Sequence, residues 1–121
     1  MQRFWITIGS LFGCATVGMA AISAHVLATS TPETVRLVHG ATEMQGWHAL
    51  ALIGTGLWAR RGGWLADAAG AAFTIGLLMF CGAVYSLAFA KLSLGMIAPL
   101  GGSLCMLGWL VLALSAMRAN P

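Results

Sequence analysis

Charge is what this sequence lacks most. Only 7% of its 121 residues are Asp, Glu, Lys or Arg, against 60% hydrophobic, and mean hydropathy is +0.89. A water-soluble domain carries about a quarter charged residues. Six basic and three acidic side chains cannot coat a soluble surface of this size. The basic residues are also dispersed, which excludes a nucleic-acid patch and leaves membrane orientation as their role. Cysteine is scarce too. Cys14, Cys81 and Cys105 each stand alone in an apolar run, without CxxC spacing, so neither a disulfide framework nor a zinc site is expected. Missing as well are a Ser/His/Asp set, paired carboxylates at one depth, a phosphate loop and any metal-ligand spacing. No catalytic residue, metal or cofactor is expected, and the chain reads as non-enzymatic.

What the sequence has is long apolar runs. At about 20 residues per crossing, one domain covering 1–121 accommodates four spans, at about 4–28, 43–59, 64–90 and 96–117. The fold expected is an all-α integral membrane four-helix bundle. The first run follows Arg3 as a signal peptide would, but at about 25 residues it is too long for a signal core and reads as a retained span. Ser30-Thr31-Pro32-Glu33 is a helix start: hydroxyl cap, proline at the first position, acid in the first turn. A short interfacial helix is expected over roughly Pro32 to His39, closed by Gly40. Arg60-Arg61-Gly62-Gly63 reads as a tight basic turn. Asp67 follows it, placed to pair with Arg60 or Arg61.

The sixteen glycines point to close helix contacts. Gly9 and Gly13 form a GxxxG pair, and Gly82, Gly101, Gly102 and Gly108 are further packing candidates. The Gly9/Gly13 face would also serve a homo-oligomer. Four spans put Arg3, Arg60, Arg61 and Arg118 on one side and Arg36 and Lys91 on the other. The excess of basic residues places both termini in the cytoplasm.

That topology gathers polar side chains at the outer end. His25 closes the first span, Gln45 and His48 open the second three residues apart, and Tyr85 lies near the end of the third. An ionisable residue such as His48 within a span is a functional candidate. His25, Gln45, His48 and Tyr85 are therefore the candidate ligand-binding set. The competing reading is that they only hydrogen-bond the helices together. Two histidines are the minimum for a bis-histidine haem, but neighbouring, glycine-packed helices leave little room for one.

Four segments resemble the YgdD/YwdK family of small bacterial membrane proteins. Ser23-Ala24-His25 resembles its small-Ala-His signature. Gln45-Gly46-Trp47-His48-Ala49-Leu50-Ala51-Leu52 is similar to its YQ-x-x-HALAL segment, with Met44 where tyrosine is usual. Phe80 to Ala88 resembles its FSGSLYxLA segment, with Cys81 replacing serine. Ile97 to Gly102 with Gly108-Trp109 resembles its TPxGG…GW ending, with Ala98 replacing threonine. The family also looks related to a mitochondrial transmembrane protein of animals. The resemblance implies a four-helix bacterial inner-membrane protein of unassigned activity, and it marks His25, His48, Tyr85, Pro99 and Gly101. The three departures remove three hydroxyls, which weakens any catalytic scheme.

With almost no soluble part, the chain is expected to act as an accessory or structural subunit against a larger membrane complex, with the lipid bilayer as its constant partner. The alternative is a small-molecule protein that binds or transports quinone, lipid or protons through the outer His/Gln/Tyr cluster.

Overall fold

The computed structural model describes residues 1–120. Regular structure among them is helical throughout: α1 (Gln2–Val26), α2 (Pro32–Ala90) and α3 (Ile97–Arg118). All three are long and apolar enough to cross a membrane.

The expected start of α2 is present. Thr31 caps it from an extended backbone, its Oγ1 accepting from the Thr34 amide at 3.3 Å, with Pro32 in the first turn. The expected stop at Gly40 is absent, and no separate interfacial helix forms. A glycine inside a helix costs about 1 kcal/mol, which burial on either side offsets: Val38 and Ala41 are completely or almost completely enclosed. The left-handed glycines are Gly63 and Gly95 instead.

Gly63 divides α2. Its φ of 57° and ψ of −146° interrupt the helix, while Arg60, Arg61 and Gly62 stay helical. The turn expected from two glycines is thus made by one. A straight helix would hold residues 40 apart at about 60 Å. Instead the Tyr85 hydroxyl donates to Gln45 Oε1 at 2.9 Å, and Cys81 Sγ donates to the Ala41 carbonyl at 3.4 Å. The first arm (32–62) and second arm (64–90) therefore lie antiparallel. Lys91, in the left-handed region at φ 53°, ends the second arm. Pro99 sits in the first turn of α3, where its missing N–H is not required.

α1 and α3 each pack on α2 and not on one another. The core runs along the arms through Leu52, Thr55, Phe73 and Leu77, all fully buried. Outside, Leu11, Val17, Leu50, Leu57, Leu78, Met106, Leu110 and Met117 are exposed. An apolar exterior this continuous calls for lipid rather than water.

Close backbone approaches hold the elements together. A Cβ at Gly76 would lie 2.7 Å from the Gly101 carbonyl, and one at Gly101 would lie 2.6 Å from the Gly76 carbonyl. Gly9 meets Ala49 and Ile53 in the same way, and Gly108 meets the ring of Phe73. Two expected packing positions need correction. Gly13 and Gly82 face no atom within 4 Å, and Gly102 has only a loose contact with Phe80. Gly56 and Gly70, which the spacing did not single out, are tightly packed against Ile6 and Trp5. Asp67 also differs from expectation: the buried indole of Trp5 donates to its Oδ1 at 2.7 Å.

Candidate functional site

Gln45 and His48 lie three apart on one helical face, and both are 4% exposed. They serve different networks. Gln45 Nε2 donates to the Phe12 carbonyl of α1 at 3.1 Å, while its Oε1 receives the Tyr85 hydroxyl. Thr42 Oγ1 lies 3.2 Å from the same phenol oxygen and also donates to the Val38 carbonyl. One amide side chain thereby joins α1 to both arms of α2.

His48 turns toward α3. Its Nδ1 is 2.7 Å from the Met44 carbonyl, one helical turn back, and its Nε2 is 3.2 Å from Trp109 Nε1. A carbonyl only accepts and an indole N–H only donates. The ring is therefore a neutral imidazole with its proton on Nδ1, and both nitrogens are engaged. Phe73 completes an aromatic cluster, its centroid 5.5 Å from His48 and 5.1 Å from Trp109, both edge-on.

The four candidate residues thus do not form one cavity. Gln45 and Tyr85 meet, His48 belongs to a separate aromatic cluster, and His25 is exposed at the end of α1. Trp109 and Thr42 complete these networks, although neither was among the candidate site residues. The sign in the sequence was an indole on an apolar helix, because an indole N–H among apolar groups needs an acceptor.

The open space lies elsewhere. A groove of about 810 Å³ runs between α1 and the first arm. Its apolar length is lined by Gly9, Gly13, Ala20, Leu50 and Ile53, and the end near the α1–α2 connection by Ser23, His39, Glu43 and Trp47. Gly13 and Gly46, which carry no side chain, keep it open. Ser23 is 4% exposed, and its Oγ is the one buried side-chain oxygen or nitrogen without a hydrogen-bond partner among the described residues. The same residues contain no group of three or more His, Cys, Asp or Glu able to hold a metal ion.

Comparison with known proteins agrees with a membrane protein. Residues 19–102 match the model of a family described as "Protein of unknown function (DUF423)". A UPF0382 membrane protein of Haemophilus influenzae is 30% identical over 99% of this chain and 98% of its own length. The UPF0382 membrane protein YwdK of Bacillus subtilis is 28% identical over 97% of this chain and 98% of its own length. The UPF0382 inner membrane protein YgdD of Escherichia coli is 28% identical over 97% and 92%. No solved structure matches.

Proposed function

The chain belongs to the DUF423 family of membrane proteins of unknown function, and from that premise we propose that it is a non-enzymatic accessory subunit that packs against a larger membrane complex. One observation carries this reading: Gln45, His48 and Tyr85, the members of the candidate set that lie inside the bundle, are engaged there, while much of the exterior is apolar. Gln45, His48 and Tyr85 have their polar atoms bonded to Phe12, Met44, Trp109 and one another. Asp67 receives the Trp5 indole, and Ser115 receives the Trp58 indole while donating to the Gly62 carbonyl. Such bonds fix helix register in a membrane, at about 0.6 kcal/mol each. They also occupy Gln45, His48 and Tyr85 within the bundle, which disfavours the alternative at that place.

In this reading α1, each arm of α2, and α3 cross the membrane, making four spans. Arg3, Arg60, Arg61 and Arg118 would share the cytoplasmic side with both termini, as the distribution of basic residues favours. The membrane would be a bacterial inner membrane, the location named for the Escherichia coli relative. The test is purification from native membranes in mild detergent, followed by mass spectrometry. Larger membrane subunits should accompany the chain in fixed stoichiometry. A chain that purifies alone, or only as copies of itself, overturns the accessory reading.

A further inference from the structure

The groove between α1 and the first arm of α2 holds one hydroxyl that departs from the pattern of the others. Thr16 and Thr42, which also line the groove, and Thr55, Thr74 and Ser103 outside it return their hydroxyls to the carbonyl four residues before. Ser23, beside the groove, does not, and its oxygen is left buried without a partner. A buried polar atom in that state is costly unless something completes it. Across the groove, His39 and Glu43 are four apart on one face of the first arm, and both are exposed.

Depth narrows the occupant. With Arg60 and Arg61 at one interface, the roughly 20 residues of a crossing reach back to about position 40. That leaves His39 at the boundary and Glu43 just beneath it. A carboxylate at that depth is costly and calls for a hydrogen-bond donor. The apolar track from Gly9 to Ser23 extends about 21 Å by helix rise, long enough for a chain-like tail. Trp47, 69% exposed at the groove edge, offers an aromatic face at the same level as Glu43.

From this arrangement we propose that the groove binds an isoprenoid quinone and its quinol. The head sits beneath the headgroups beside Trp47, and the tail runs past Gly13 toward Gly9. The Glu43 carboxylate accepts a quinol O–H. The Ser23 hydroxyl and a His39 ring N–H donate to the ring oxygens, giving Ser23 the partner it lacks. A phospholipid places its charged head outside this depth, and a fully apolar tail would leave Glu43 and Ser23 uncompleted. The site is separate from the His48 cluster and does not depend on the accessory role.

The test uses the full chain in phosphatidylcholine nanodiscs, titrated with a decyl-chain ubiquinone in its oxidised and reduced forms. Tryptophan quenching should saturate and should be largely lost in Trp47→Phe. Glu43→Gln should weaken quinol binding at least tenfold and oxidised quinone less. Ser10 lines the track beside Gly9, and Gly13→Leu and Ser10→Leu, which fill the track, should weaken both forms at least tenfold. Thermal melts accompany each variant, and if Gly13→Leu melts early the Ser10→Leu result decides. The proposal is overturned by non-saturating quenching, or by affinities unchanged in Glu43→Gln and Ser10→Leu. It is equally overturned if mass spectrometry finds a bound phospholipid that the quinone does not displace.

Discussion

The indole N–H of Trp109 ends on Nε2 of His48, 3.2 Å away, and so decides which nitrogen of that ring carries the proton. The Met44 carbonyl at 2.7 Å then receives the Nδ1 proton. The expected outcome is a neutral Nδ1–H tautomer, read from the two ring nitrogen shifts in nuclear magnetic resonance of the protein in detergent. Trp109→Phe should keep the edge-on stack with Phe73 and lose only the bond. It should cost about 0.6 to 1.7 kcal/mol in reversible unfolding. A Trp109→Phe protein whose His48 shifts are unchanged rules the assignment out.

Gly76 and Gly101 face each other so closely that a methyl on either would reach the other's carbonyl. Gly101→Ala should therefore part α3 from the second arm and destabilise the protein by about 1 to 3 kcal/mol. Gly82→Ala, on an open face of the same arm, should be neutral or slightly stabilising. Equal effects at the two positions would mean that the seam does not depend on backbone approach.

Trp5 is buried over Gly70 and holds Asp67 through its indole. Trp5→Ala removes a packed ring and leaves the carboxylate without that donor, for an expected loss of about 3 to 5 kcal/mol. Trp5→Phe should retain most of the packing and lose about 1.5 to 3 kcal/mol for the bond to a charged acceptor. Asp67→Asn should be milder than either, since an amide oxygen still accepts. Thermal unfolding in a fixed detergent ranks the three.

Gly63 sits at φ 57° and ψ −146°, a region that residues with a Cβ rarely occupy. Gly63→Ala should cost about 1 to 3 kcal/mol, whereas Gly40→Ala, within the continuous first arm, should stabilise. A Gly63→Ala protein as stable as the parent would show that the arms can turn by another route.

Much of this architecture was legible in the chain because lipid imposes simple demands. Low charge, long apolar runs and the Ser30-Thr31-Pro32-Glu33 cap set the helices and the start of α2. The resemblance carried by the HALAL and FSGSLYxLA segments identified the family. The polar residues were legible as important, but their pairing was not. Depth alone put His25, Gln45, His48 and Tyr85 together, yet rotation about each helix axis separates them. His25 faces outward, Gln45 reaches Phe12 and Tyr85, and His48 reaches Trp109. Azimuth depends on packing across the bundle, which spacing within one helix does not report. The same limit hid Gly70 beneath Trp5 and made Gly13 look like a packing position. Gly40 misled for a local reason: glycine is compatible with a helix end, but neighbours buried on both sides carry the helix through it.

The single-residue turn at Gly63 has a consequence for how the chain length can vary. Helical geometry persists through Gly62 and resumes at once, so no slack separates the two arms. Adding or deleting one residue between Arg60 and Asp67 would rotate one arm by about 100° against the other. Every cross-arm pairing would then lose phase together, Tyr85 with Gln45 and Cys81 with Ala41 alike. Insertions belong instead in the connections 27–31 and 91–96, where no such phase is kept. The turn acts as the index mark that sets the azimuth of the whole interior.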